Sequence, residues 1–211
     1  KYIKFTDRIA FTKILKPTDD ERDLYDKITN KVHKYYDSGY DILYLMVIQR
    51  LISSSTESTK QALFKMKKSG LFSNDDYDEL MEIANRIKLD TKTSDLVDVI
   101  KDDKDSKFLI FTEFHVTQDY LAKVLNENGF SVTLFNGKMN LIERLASVEQ
   151  FRNETQIMIS TSAGGEGQNF QFCHNVVNYD LPWNPMKVEQ RVGRVHRIGH
   201  KNDVNIYNYA Y

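Results

Sequence analysis

Between Glu189 and Asp203 the chain has no acidic residue, and within that interval Gln190–His200, QRVGRVHRIGH, carries three arginines and two histidines in eleven positions. Crowded guanidinium groups need an anion among them, and their planar forks match phosphate oxygens in pairs. Read as one helix from Pro185 to Arg197, the stretch puts Gln190, Arg194 and Arg197 on one face, with Arg191 off that line. Gly193 inside such a helix costs about 1 kcal/mol relative to alanine. A merely solvated basic face requires neither that glycine nor the missing acids. Paired arginines that stabilise charge developing on a transferred phosphoryl group are the chemistry this pattern suits, so a nucleotide phosphate is the expected anion.

Thr161–Phe170, TSAGGEGQNF, crowds Gly164, Gly165 and Gly167 behind an apolar run. Glycines there permit close backbone approach, and free amides at a helix start can face a phosphate, although a tight turn explains a lone GGxG equally well. His196 and His200 have the i, i+4 spacing of zinc ligands. With one cysteine, Cys173, and no HExxH or CxxC, they read as packing or surface histidines, and no metal site is assigned. Nothing around Cys173 marks a nucleophile.

These residues need elements to hold them. From Lys107 short apolar runs alternate with helical segments: FLIFT then Val116–Asn128, SVTLF then Leu141–Phe151, QIMIS then the Gly-rich turn, NVVNYD then Pro185–Arg197, and finally VNIYNY. Continuous apolar strands joined by helical crossovers predict an α/β fold with a mostly parallel, doubly wound sheet. Such sheets bind ligands at the carboxyl ends of their strands. Thr18 to about Lys104 is helical in texture, with Leu24, Ile28, Val32 and Tyr35 at spacings of three and four and an apolar helix over Ile42–Ile52. Ser55 or Thr56, and Asn74, are the expected caps of helices over Thr59–Lys68 and Tyr77–Ile87, followed by a short helix over Thr93–Lys101. The expected division is a helical segment, 1–105, and a sheet domain, 106–211.

The 211 residues suffice for one large domain or a domain with a smaller companion. With 29 Lys+Arg against 30 Asp+Glu the net charge is −1, so binding to a polyanion requires local segregation of charge. The single cysteine rules out an intramolecular disulfide framework and makes a reducing, cytoplasmic setting the expectation. The opening residues lack a signal-peptide apolar region, and no run of about 18 apolar residues could span a bilayer. Lys1 in place of Met predicts a fragment of a longer protein.

Taken in order, FLIFTEF, NGKM…ER…F, ISTSAGGEGQNFQ, NYDLPWNP and QRVGRVHRIGH resemble the second RecA-like lobe of superfamily-two helicase-type ATPases, more narrowly the Swi/Snf class of DNA translocases. GEGQNFQ and DLPWNPMKVEQRVGRVHRIG look like its bacterial and archaeal HepA/RapA-like branch. The resemblance covers Ser106 to about Tyr209, while RLISSS and QALFKM in the helical half are similar to the segment joining the two lobes. It implies that Arg194 and Arg197 are arginine fingers for the γ-phosphate of ATP and that Gln190 orders that interface. It places Gly165, Gly167 and Asn169 on the nucleotide side, and Thr161 and Thr112 toward the nucleic-acid backbone. His200 stands where glutamine is more usual.

The same resemblance implies ATP and Mg²⁺ as cofactors, held mainly by a first lobe that is missing here. The chain has no GxxxxGK[ST], and Asp20-Glu21-Arg22-Asp23 follows no apolar strand, so it reads as an acidic helix start and not a DExD box. The implied partners are double-stranded DNA and the protein's own N-terminal RecA-like lobe, in the cytoplasm and on the nucleoid of a prokaryote, without a membrane. Alone, the fragment is expected to be inactive. The alternatives are a strand-separating helicase lobe and a non-enzymatic module that docks RNA polymerase or a defence complex, against which both arginines and the GGEGQN loop argue.

Overall fold

Apolar runs without polar alternation fold here as strands covered on both faces. The computed structural model describes residues 6–37, 42–161, 168–197 and 202–210. Among them the strands are β1 (Arg8–Ile14), β2 (Phe108–Thr112), β3 (Val132–Phe135), β4 (Ile157–Thr161), β5 (Asn175–Asn178) and β6 (Val204–Ala210). The helices are α1 (Asp19–Asp37), α2 (Ile42–Ile52), α3 (Thr56–Lys68), α4 (Asn74–Arg86), α5 (Thr91–Asp102), α6 (His115–Glu127), α7 (Leu141–Asn153) and α8 (Pro185–Val192). The strands form one sheet in the order β1-β6-β5-β2-β4-β3, and every pairing is parallel.

Alternation within β2 shows how both faces are filled. Phe108 and Ile110 pack with Leu96, Val97 and Ile100 of α5 and Leu121 and Leu125 of α6. Leu109 and Phe111 point the other way, to Val148 and Phe151 of α7 and Val192 of α8. Each such fully buried side chain contributes roughly 1.5–3 kcal/mol through burial. The chain leaves β2 for β3 at one edge, returns to β4, and then crosses to β5 on β2's other flank. The carboxyl ends of β4, β2 and β5 therefore lie side by side where the winding reverses, the position at which open α/β sheets bind ligands.

The division of the chain differs from the expected 1–105 and 106–211. Lys1–Leu15 and Asp95–Ala210 form a sheet unit, and Lys16–Ser94 a separate helical unit. β1 pairs with β6 from Arg8↔Val204 to Ile14↔Ala210, so the helical unit is an insertion within the sheet unit's sequence. As an edge strand, β1 is mostly exposed and lacks the apolar run that marks a buried strand.

Within the helical unit each helix packs on the next, α1 on α2, α2 on α3, α3 on α4 and α4 on α1, around Leu24, Ile28, Leu45, Ile48, Leu63, Met66, Leu80 and Ile83. Ser55 caps α3 through a reciprocal pair with Ser58. α4 is capped by Ser73 with Asp76, one residue before the expected Asn74. Asp20-Glu21 lies in the first turn of α1, where carboxylates meet the positive end of the helix dipole. Buried Asp90 accepts from Thr56 N at 3.0 Å, at the start of α3, and Lys92 Nζ donates to the carbonyls of Ser53 and Ser54 at 3.2 Å each, just beyond α2. Among the described residues no helix is long and apolar enough to cross a membrane.

Candidate functional site

Pro185 opens α8 behind the cap Asn184, whose side chain accepts from Met186 N at 3.0 Å. Proline suits this place because the first helical amide needs no partner. The helix was expected to reach Arg197 but ends at Val192, and Gly193 is its C-cap rather than an interior residue. Val195 N and His196 N both donate to Val192 O, at 3.0 and 2.8 Å, and continue the chain as a tight turn. Arg194 and Arg197 thus project from a turn after the helix, not from a helical face, while Gln190 is exposed on α8 itself.

The buried member of the arginine set is the one that lies off the line of Gln190, Arg194 and Arg197 in the sequence. Arg191 is 3% exposed. Its Nη1 donates to Asn178 Oδ1 and to Asp180 O, both at 2.9 Å, and its Nη2 lies 3.9 Å from Glu113 Oε1. Burial pulls the guanidinium's pKa down to about 10, Asp180 opposing and Arg194 adding to the shift, so it is charged at neutral pH. The Arg191 and Arg194 guanidinium carbons lie 5.0 and 5.9 Å from the centroid of the Phe111 ring, within cation–π range. Arg194 is half-buried; Arg197 is exposed, with Nε donating to Gly193 O at 3.2 Å.

Thr112 is not at the surface. It is fully buried, and its hydroxyl donates to Asp180 Oδ2 at 2.6 Å, an oxygen that also accepts from Glu113 N at 3.0 Å. Where the resemblance turns Thr112 toward a nucleic-acid backbone, the structure gives its donor to a carboxylate just beyond β5. Thr161, Thr112's partner in the β2–β4 register, is 3% exposed, and its buried Oγ1 has no hydrogen-bond partner among the described residues. Gly165, Gly167 and His200 lie outside the described residues.

Asn169 is exposed, its Oδ1 accepting from Gln171 N and its Nδ2 donating to Gln171 Oε1, both at 3.1 Å. The following residue joins this segment to the arginines. Phe170 N donates to Arg194 O at 3.0 Å, and the Phe170 ring is anchored edge-on against Phe135 and Phe151.

A second hold on the turn comes from β1. Arg8 pairs with Glu189 at 2.8 Å and donates from Nε to His196 Nδ1 at 3.0 Å. His196 Nε2 lies 2.8 Å from Thr6 O. A carbonyl only accepts, so Nε2 carries the proton and Nδ1 is the acceptor, the neutral tautomer. His196 is thus a packing histidine. Among the described residues no cluster of three or more His, Cys, Asp or Glu could hold a metal ion. Cys173 is buried, and burial pushes its thiol up to about 12, which keeps it protonated and unreactive.

Sequence reasoning missed Arg191, Asp180, Asn178 and Arg8. For two of them a signal existed: Asn178 and Asp180 are polar residues ending an apolar run, NVVNYD, and such residues on a buried strand need partners. Asn178 has two, since its Nδ2 also donates to Asn208 Oδ1 at 2.8 Å.

Residues 91–199 match the helicase conserved C-terminal domain family. Over 195 residues the chain is 39% identical to YqhH of Bacillus subtilis, named an uncharacterized ATP-dependent helicase, which covers 90% of this chain and 35% of that protein. It is 35% identical over 167 residues to the RNA polymerase-associated protein RapA of Haemophilus influenzae, 76% of this chain and 17% of RapA. The chain therefore spans about a third of the length of YqhH and under a fifth of RapA. The C-terminal part of the Fun30 ATPase domain has a similar fold, with a TM-score of 0.69 at 20% identity, over 98% of this chain and 86% of that one. The Sulfolobus solfataricus SWI2/SNF2 ATPase core, solved in complex with double-stranded DNA, gives 0.66 at 19% identity, over 97% and 41%.

Proposed function

Because this chain belongs to the helicase conserved C-terminal domain family, among the Swi/Snf-type superfamily-two ATPases, we propose that it is the second motor lobe of an ATP-dependent translocase on double-stranded DNA. The observation that carries the reading is the turn after α8. It holds Arg194 half-buried against Phe111 and leaves Arg197 exposed, beside the carboxyl ends of parallel strands. Two cations carried on a braced turn fit a triphosphate, whose oxygens guanidinium forks can bind.

ATP supplies the phosphoanhydride whose hydrolysis drives movement. Arg194 and Arg197 face its γ-phosphate and stabilise the charge that develops there, while Gln190 lies on the adjoining helix and orders the interface with the first lobe. That first lobe holds Mg²⁺ and most of the nucleotide, because this chain has no GxxxxGK[ST], and the chain alone is inactive. Asn169, with Gly165 and Gly167, belongs to the nucleotide side; Asn169 is one residue from the bond between Phe170 N and Arg194 O. Thr161 is assigned to the DNA backbone, supported by its buried hydroxyl at the end of β4, which has no partner among the described residues. Thr112 serves the site from beneath, through Asp180. Closing and reopening of the cleft between lobes shifts their grips along the duplex.

ATP hydrolysis by the full-length protein, with and without duplex DNA, tests this beside its Arg197→Ala variant at saturating ATP. DNA-stimulated turnover that falls by roughly 10²–10³-fold in the variant, with ATP binding retained, is the expected result. Absence of turnover in folded wild type supplied with Mg²⁺ and DNA would refute the motor. Strand separation of a tailed duplex would replace translocation with unwinding.

A further inference from the structure

We propose that Arg191 is a positioning residue for the arginine turn: it sets where Arg194 and Arg197 stand relative to the ends of β2 and β5. The inference rests on the reading of Arg194 and Arg197 as γ-phosphate contacts and goes beyond it, because Arg191 touches no substrate. At 3% exposure it cannot reach a nucleotide, yet it is charged and sits three residues before Arg194.

Its guanidinium faces inward to three points on the strand ends, two of them through hydrogen bonds. Nη1 bridges Asn178 Oδ1 and Asp180 O at 2.9 Å each, and Nη2 faces Glu113 Oε1 across 3.9 Å. Asp180 in turn holds Thr112 and the Glu113 amide through one carboxylate oxygen. The last turn of α8 is thereby tied to both β5 and β2. Phe111, itself buried, lies within cation–π range of Arg191 and Arg194 alike, so the two guanidinium groups share one aromatic neighbour, and the charge of Arg194 adds to the lowering of the Arg191 pKa. A buried cation with two fixed acceptors and a carboxylate facing it has little freedom, and a turn that begins two residues later inherits that constraint. Packing alone would be served by an apolar side chain here, since a buried ion pair is often no more stabilising than a hydrophobic replacement.

The test uses steady-state ATP hydrolysis by the full-length protein with saturating duplex DNA, comparing Arg191→Met, Arg191→Lys and Arg194→Ala well below their unfolding temperatures. Arg191→Met keeps the stem and removes every donor; Arg191→Lys keeps one ammonium near the same acceptors. The expected result is kcat lowered at least tenfold in Arg191→Met with KM for ATP within about threefold, and partial recovery of kcat in Arg191→Lys. Wild-type kcat in Arg191→Met beside collapsed turnover in Arg194→Ala would overturn the positioning role and leave the motor reading intact. Loss of nucleotide-binding stoichiometry in step with kcat would also overturn it, because a purely structural role predicts that pattern. Wild-type turnover in Arg194→Ala would overturn the reading of Arg194 as a γ-phosphate contact, and the inference with it.

Discussion

Replacing Thr112 with valine separates two incompatible roles for the end of β2. The substitution preserves the shape of a fully buried side chain and deletes the hydroxyl that donates at 2.6 Å to Asp180 Oδ2. A hydrogen bond to a charged acceptor is worth about 1.5–3 kcal/mol, and Asp180 keeps its bond from Glu113 N, so the loss should fall within that range and not above it. With a urea dependence of about 2–3 kcal/mol per molar for a unit of this size, the midpoint should drop by roughly 0.5–1.5 M. Trp183, the only tryptophan, lies just after β5 and reports on the sheet unit by its fluorescence. Combining Thr112→Val with Asp180→Ala should give a coupling energy of about 1–3 kcal/mol, because either change alone already removes the bond between the two side chains. A midpoint within about 0.2 M of wild type, with weaker duplex-DNA binding and a shallower salt dependence in the full-length protein, would refute the buried bond and restore a direct phosphate contact.

Lys92→Met should lower the stability of the helical unit by about 2–4 kcal/mol, since it strips the buried ammonium from the carbonyls of Ser53 and Ser54; urea unfolding followed by far-ultraviolet circular dichroism measures this, and a change under about 0.5 kcal/mol would refute it. Bonds from Lys31 and Ser73 hold the Asp76 carboxyl at about 2, against the small opposing effect of burial. Because that pKa lies below the unfolded value of about 3.9, the contribution is complete above pH ~4 and is lost as pH falls through about 2. Asp76→Asn should therefore flatten the acid limb of the melting-temperature profile between those values, and parallel profiles would sink the assignment.

What could be read in advance followed from local rules. FLIFT and QIMIS announce buried strands because nothing polar interrupts them, and all of β2 and β4 is buried. Ile42–Ile52 is a helix as its length required, with Leu45, Ile48 and Leu51 turned inward. What escaped the sequence depended on partners far along the chain. The burial of Thr112 is decided by Asp180, 68 residues later, and the role of Arg191 by Asn178 and Asp180 together. The α8 pattern in the sequence runs on past the helix because a glycine four residues before Arg197 fits an interior position at a cost and a helix stop equally well, and the structure uses Gly193 as the stop. β1 escaped because RIAFTKI is exposed along nearly its whole length, and an edge strand has no need of a continuous apolar run.

That edge strand gives the arginine turn a second anchor. Asp7 N donates to Asp203 Oδ1 and Val204 N donates to Asp7 O, both at 2.9 Å, which fixes where β1 enters the sheet beside β6. From this entry point Arg8 reaches Glu189 and His196, on either side of the stretch that contains Arg191 and Arg194. The turn is thus gripped by Arg191 from the strand ends and by Arg8 and Thr6 from the sheet edge, and the two grips differ in kind. Arg191's is buried and barely screened, whereas the Arg8–Glu189 pair is largely exposed and weakens with salt. Of the two, the inner grip should dominate the placement of Arg194, and the outer grip, which ends at His196, bears most directly on Arg197.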